Sequence, residues 1–169
     1  MSRRRRPTRA PAGGGAPGWR GRAMIVLAGL GAAISGYLTV AHYSGALALC
    51  AGAGGCETVQ ASRFAAVAGV PVALLGLALY LLLLGLSAWR TWAPRTAAAP
   101  VALTLFGLAL AGTLYSGYLT YLELYVIGAL CPWCLGSAAL VTAILGLAAW
   151  DVVDATSDAP ARGLCRAYD

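Results

Sequence analysis

The stretch "VIGALCPWCLGSAALVTAILGLAAW", residues 126–150, decides the class to which this chain belongs. It contains no charged residue, and it is long enough to cross a hydrocarbon core of about 30 Å, which takes roughly 20 helical residues. It also carries Cys131 and Cys134, separated by Pro132 and Trp133. The sequence therefore predicts a membrane helix with two thiols near one end.

Three further stretches of the chain, approximately residues 23–42, 70–89 and 97–122, are equally apolar and equally free of charge. Hydrophobic residues make up 60% of the sequence and charged residues only 11%, which is far from the composition of a soluble domain. Small residues recur in "LAGLGAAISG" and "LFGLALAGTLYSG", and such residues let membrane helices approach closely. We therefore predict an all-α integral membrane protein, a four-transmembrane-helix bundle spanning residues 23–150.

The two ends of the chain differ from the bundle in composition. Residues 1–22 combine arginines with glycine and proline and cannot bury a core, so we expect them to be disordered. Residues 151–169 are short and polar, and we expect a loose tail.

The arginines predict the orientation of the bundle. All twelve basic residues are Arg, and seven of them precede the first apolar stretch. With four spans, nine of the ten arginines before residue 151 lie on one side, which the positive-inside rule makes cytoplasmic. We thus expect a multi-pass protein of the inner or plasma membrane with both termini cytoplasmic and residues 43–63 outside. The net charge of +6 then reflects topology, and no nucleic-acid partner is expected.

The predicted orientation places four cysteines on the oxidising, extracytoplasmic side. Cys50 and Cys56, here called the loop pair, lie in the first outer loop; Cys131 and Cys134, the helix pair, lie at the outer end of the fourth span. Two pairs on different segments fit a disulfide relay, structural disulfides or, less well in an oxidising compartment, a zinc site. Cys165 lies in the cytoplasmic tail, and we assign it no role.

Local chemistry favours the relay. If the fourth helix begins near Cys131, then Pro132 occupies its first turn, and the helix N-terminus stabilises a thiolate. A disulfide across two residues closes too small a ring to stabilise the fold much. The loop pair flanks the flexible segment "AGAGG", so it is suited to opening, closing and exchanging its disulfide.

Three segments resemble the vitamin K epoxide reductase family in its bacterial disulfide-forming branch. They are "CETVQASRF" at 56–64, "GVPVALLGLALY" at 69–80 and "YVIGALCPWCL" at 125–135, and the resemblance extends over roughly residues 23–150. It implies a four-helix catalytic domain enclosing a quinone near the outer surface, with menaquinone or ubiquinone as electron acceptor.

The resemblance also implies a role for each cysteine. Cys134 faces the quinone and Cys131 completes that redox centre. Cys56 forms a transient disulfide with Cys131, and Cys50 meets the external partner. Ser62 matches a serine in the segment that covers the pocket, although a helix cap before the second span is an equally good interpretation.

Two departures from the family refine the expected reaction. Many bacterial relatives carry a fused thioredoxin-like domain, for which the tail here is too short, so the expected partner is a separate extracytoplasmic thioredoxin-fold (DsbA-like) protein. Ala138 stands where vertebrate members have Tyr, which favours plain quinone reduction over epoxide reduction.

The remaining candidates are weaker. Tyr115 and Tyr118, with Tyr121 and Tyr125, could line a quinone pocket or form an interfacial aromatic belt. Glu57 and Glu123 are interpreted as solvated loop charges. The alternative from a different class is a non-enzymatic membrane scaffold whose cysteines are structural or bind a metal.

Overall fold

Four long helices make up most of the computed structural model, which describes residues 18–44, 55–90 and 98–157. Each is long and apolar enough to cross a membrane. In chain order the helices are α1 (Trp19–Ser44), the short α2 (Gly55–Ala61), α3 (Val72–Arg90), α4 (Ala98–Leu122) and α5 (Pro132–Ser157). The prediction of an all-α membrane protein with four spans is confirmed.

The connection between α2 and α3 is compact. One 3-10 turn at Arg63–Ala65 leads into a minimal hairpin of β1 (Ala66–Val67) and β2 (Val70–Pro71), in which Ala66 pairs with Pro71. The two turn residues between the strands both have positive φ, as a two-residue hairpin turn requires. The chain therefore passes from α2 into α3 without a long loop.

The long helices form a closed ring. Helix α1 packs against α3 and α5, and α4 packs against the same two helices from the other side. Tyr80 of α3 is 1% exposed, and its hydroxyl donates a hydrogen bond to the carbonyl oxygen of Ser137 on α5 (2.6 Å). Its ring lies so close to Gly31 of α1 that a Cβ there would stand 2.1 Å from a ring carbon. Small residues thus bring the helices together, as the sequence indicated.

Charged residues tie three helix ends together at one end of the ring. Asp151 of α5 pairs with Arg20 of α1 and Arg90 of α3, and Arg20 also pairs with Asp154. The first turn of α1 and the last turns of α3 and α5 therefore share one end.

Helices α1 and α5 are longer than predicted. Residues 19–22 and 151–157 were expected in the tails, but they are helical. Arg20, Asp151 and Asp154 project from these added turns, and their ion pairs stabilise them. Residues 1–17 and 158–169 lie outside the described part of the chain.

The fourth span begins later than residue 126. Helix α4 continues through a π-helical turn at Glu123–Ile127, and α5 starts only at Pro132. Gly128, with a φ of 68°, ends the turn, because its N–H and that of Ala129 both donate to the carbonyl oxygen of Glu123. The predicted boundary was wrong because this apolar sequence gives no sign of where the chain leaves one helix for the next.

Candidate redox site

The helix pair lies at the N-terminus of α5, at the end of the bundle remote from the ion pairs. Pro132 is the first helical residue, as predicted, and Cys131 stands just before it. The N–H of Cys134 donates to Sγ of Cys131 (3.3 Å), so the thiol occupies the position of an N-cap side chain. Both residues of the pair are free thiols.

Glu123, in the turn that follows α4, contacts the helix pair. Its Oε2 accepts a hydrogen bond from the N–H of Cys131 (3.1 Å), and a carboxylate oxygen lies within 4.8 Å of both sulfurs of the pair. Glu123 is only 3% exposed, so its interpretation as a solvated loop charge was wrong. The π-helical turn, which begins at this residue, keeps it in helical structure instead of a loop.

The two thiols differ electrostatically. The pKa of Cys131 lies below the ordinary value of a thiol, mainly because the thiol of Cys134 donates a hydrogen bond to its sulfur. Hydrogen bonds from the backbone of Cys134 and Trp133 act in the same direction, whereas burial and the charge of Glu123 oppose them. Cys131 is therefore the member of the pair suited to act as thiolate nucleophile.

Cys131 belongs to the same buried cluster as Cys56. Both are fully buried, and they share the cluster with Leu38 and Ala41 of α1. Cys56 is disulfide-bonded, and its partner is neither Cys131 nor Cys134, since both of those are free. The structure thus brings one predicted shuttle cysteine to the helix pair.

Cys134 instead lines a cavity of about 390 Å³ inside the bundle, and Cys131 does not. The walls come from all four long helices, from α2 and from the segment joining α2 to α3, and they are mostly apolar. The polar side chains in the described lining are those of Ser35, Gln60, Ser62, Tyr80, Tyr115, Ser116, Thr120, Glu123 and Ser137.

The predicted pocket residues divide between this cavity and the outer surface. Ser62 and Tyr115 line the cavity. Tyr118 does not: it is 53% exposed and contacts Tyr115 from outside, with ring centroids 6.4 Å apart, because its position along α4 turns it away from the ring of helices. Tyr121 and Tyr125 are also exposed and stack on each other.

Ser62 does not cap the helical turn that follows it. Its hydroxyl donates to the carbonyl oxygen of Val59 (2.7 Å) and makes no capping bond. The interpretation as a helix cap was therefore wrong, and the oxygen remains able to accept a hydrogen bond from the cavity. Cys50 and Cys165 lie outside the described residues.

The helix pair and Glu123 place three potential metal ligands together. The two sulfurs and a carboxylate oxygen lie within 4.8 Å of one another. Cys56 cannot join them as a thiolate while it is disulfide-bonded, so the zinc site formed by both cysteine pairs, considered from the sequence, is not assembled in this state.

Four membrane-spanning helices with a hydrogen-bonded dithiol, one thiol fully buried and the other at the edge of an internal cavity, define a membrane protein suited to thiol chemistry. The sequence profile of the vitamin K epoxide reductase family matches residues 22–149, and the chain belongs to that family. It is therefore a multi-pass membrane thiol–disulfide oxidoreductase of a quinone-linked family.

Proposed function

We propose that this protein is a thiol oxidase that takes electrons from an extracytoplasmic thioredoxin-fold protein and passes them to a lipid quinone. The observation that carries the proposal is the different placement of the two helix-pair cysteines. Cys131 belongs to the buried cluster of Cys56, the entry side for electrons, while Cys134, which packs against that cluster, also lines the cavity, the exit side.

The cavity suits a quinone head group. Its volume of about 390 Å³ falls in the range of roughly 300–1,000 Å³ of small-molecule sites, and it joins apolar walls to a few polar groups. The Gln60 amide and the Tyr115 hydroxyl are donors suited to quinone carbonyl oxygens. The experiment below distinguishes menaquinone from ubiquinone as the electron acceptor.

Electrons would enter by two disulfide exchanges. A thiolate of the reduced partner attacks the Cys50–Cys56 disulfide and leaves oxidised, with the loop pair reduced. The Cys56 thiolate then attacks the Cys131–Cys134 disulfide through a Cys56–Cys131 bond, and Cys50 resolves it. The loop pair is again oxidised, and the helix pair is left as two thiols. Oxidation of the helix pair by quinone would complete the cycle.

The membrane placement is part of the proposal. The helix pair would face the outside of the inner or plasma membrane, where a separate DsbA-like protein becomes reduced as it oxidises its substrates. The ion-paired end of the bundle, with both termini, would face the cytoplasm. The arginines of residues 1–22 and 90–95 support this orientation through the positive-inside rule.

The direct test uses the full chain, purified in detergent or proteoliposomes, with a reduced thioredoxin-fold protein and either ubiquinone or menaquinone. We expect two partner thiols to disappear for every quinone reduced, and Cys134→Ser to stop the reaction. A scaffold with structural disulfides would consume neither substrate. Quinone-independent loss of partner thiols would also overturn the proposal.

A further inference from the structure

Oxidation of the helix pair releases protons as well as electrons. Two S–H bonds break, one S–S bond forms, and the quinone takes up two electrons and two protons to become a hydroquinone. Cys131 is fully buried and Cys134 partly buried, so a proton leaving either thiol needs an acceptor close to the pair. The proposed reduction of quinone, on which this inference rests, therefore requires a proton acceptor beside the helix pair.

Glu123 is placed to be this acceptor. A carboxylate oxygen of Glu123 lies within 4.8 Å of the Cys134 sulfur, and the same side chain lines the cavity in which the quinone would lie. It thus lies beside both the group that loses the proton and the space that holds the group that gains it.

The second contact of Glu123 fixes its position. The bond from the Cys131 N–H to Oε2 joins the carboxylate to the residue that starts α5. The turn at Glu123–Ile127 and the left-handed Gly128 bring the chain back from α4 to this point. The backbone on both sides of the turn therefore fixes the position of the carboxylate beside the helix pair.

The described lining of the cavity offers no better proton acceptor. Its titratable side chains are Glu123 and Cys134, with Tyr80 of α3 and Tyr115 of α4; it contains no Arg, His, Lys or Asp. The Tyr80 hydroxyl is already committed as donor to Ser137, and a phenol is a poor proton acceptor because it is neutral near pH 7.

We propose that Glu123 is a catalytic proton carrier, which takes the proton of the Cys134 thiol as the helix pair is oxidised and delivers it to a quinone oxygen. The carboxylate gains one proton when the S–H bond breaks and loses it when the O–H bond of the hydroquinone forms, so Glu123 is unchanged after each transfer. Once the Cys134 sulfur has lost its proton, it can accept the proton of Cys131, which then follows the same route through Glu123 to the quinone.

The test measures single-turnover quinone reduction by the prereduced full-length protein as a function of pH. Glu123→Gln keeps the size of the side chain and an oxygen for the Cys131 N–H but cannot carry a proton. We expect its rate near pH 7 to fall on the order of 100-fold and to rise as the pH increases, because the Cys134 proton must then leave without the carboxylate. Glu123→Asp, which keeps a carboxylate, should retain the pH profile of the parent at a reduced rate.

Two controls separate this role from a structural one. Asp154→Asn makes the same chemical change on an exposed carboxylate at the other end of the bundle and should leave both rate and pH profile unchanged. In a Cys134→Ser background, Glu123→Gln should still form the Cys56–Cys131 disulfide, because that exchange does not use the quinone.

The outcomes are distinct. A parental rate and pH profile in Glu123→Gln, or equal slowing at all pH values, would overturn the proton-carrier role. So would loss of the Cys56–Cys131 disulfide, because it would show that Glu123 only maintains the site. Absence of quinone reduction in the parent protein would instead refute the proposed function itself.

Discussion

Gly55 lies directly against the backbone of Leu130: a Cβ added at Gly55 would stand 2.2 Å from the Leu130 carbonyl oxygen. Each residue immediately precedes a cysteine of the proposed pathway, Cys56 and Cys131. The backbone contact therefore sets how closely the loop pair can approach the helix pair. Because the obstacle is backbone, it cannot move aside as a flexible side chain would.

Gly55→Ala should therefore separate the two cysteine pairs. We expect oxidation of a protein partner to fall on the order of 10- to 100-fold, since displacements of about 1 Å have effects of that size, while quinone reduction by the prereduced helix pair continues. Stopped-flow measurement of both half-reactions tests this. Gly136→Ala, on α5 where nothing lies within 4 Å of the added Cβ, is the matched control. Parental partner oxidation in Gly55→Ala would show that the contact does not govern the exchange.

Cys134→Ser should trap the exchange intermediate. The Cys131 thiolate can still attack the Cys50–Cys56 disulfide at Cys56, with which it shares a buried cluster, but Cys134 is no longer present to resolve the product, so a Cys56–Cys131 disulfide should accumulate. Non-reducing digestion and peptide mass mapping would detect it. Cys131→Ser should not form the link, and Cys165→Ser should change nothing. If the cross-link joined other cysteines, the order of transfer given above would be wrong.

The alkylation of Cys131 should report its lowered pKa. Because only the thiolate reacts, a lower pKa moves the half-maximal rate to lower pH than for an ordinary thiol, about 8.5. Cys134→Ala removes the main hydrogen bond responsible, so the half-point should move to higher pH. Peptide mass spectrometry after timed reaction with iodoacetamide measures the rate at this one residue. Identical half-points in the two proteins would exclude Cys134 as the cause.

Gly31→Ala should destabilise the bundle, because the added methyl group collides with the Tyr80 ring between α1 and α3. We expect a loss of about 1–3 kcal/mol in the free energy of unfolding, the usual cost of overpacking a core. Thermal unfolding in detergent provides the measurement. Gly29→Ala, two residues earlier with open space around it, should stay within about 1 kcal/mol of the parent. Equal melting temperatures for the two variants would argue against the close approach.

Reporter fusions should reveal the orientation of the bundle. A reporter enzyme that is active only outside the cytoplasm should work when fused within residues 43–63 and fail when fused after Arg95, since the arginine bias places these sites on opposite sides. A reporter that fluoresces only in the cytoplasm should give the reverse pattern. The opposite result with both reporters would place the helix pair in the cytoplasm and remove the proposed partner.

The bundle and its cysteines were predictable because their signals are local. Uninterrupted apolar stretches specify spans, and Pro132 beside Cys131 marks the start of a helix. Glu123 was missed because its role depends on a π-helical turn and on a contact with a residue eight positions away, neither of which apolar patterning encodes. A carboxylate between two apolar stretches was nevertheless a signal, since ionisable groups at membrane depth are usually functional.

Tyr118 was predicted to line the cavity but lies on the outer surface of the bundle. Tyr115 and Tyr118 are three residues apart on α4 and look equivalent in the sequence, yet only Tyr115 lines the cavity. Which side of a helix faces inward is normally indicated by polar residues on the outer side, but in lipid both sides are apolar. The direction of each tyrosine is set by the packing of α4 on α3 and α5, which a single sequence does not reveal.

The exposure of Cys134, but not of Cys131, to the cavity has a kinetic consequence. If the thiol substrate reacts on the Cys131 side and the quinone on the Cys134 side, the two substrates do not compete for one site. A quinone analogue that fills the cavity would then lower the maximal velocity without raising the apparent Michaelis constant for the protein partner. The same separation keeps a newly formed hydroquinone away from the loop pair. The hydroquinone therefore cannot reduce the loop-pair disulfide directly and return electrons to the partner.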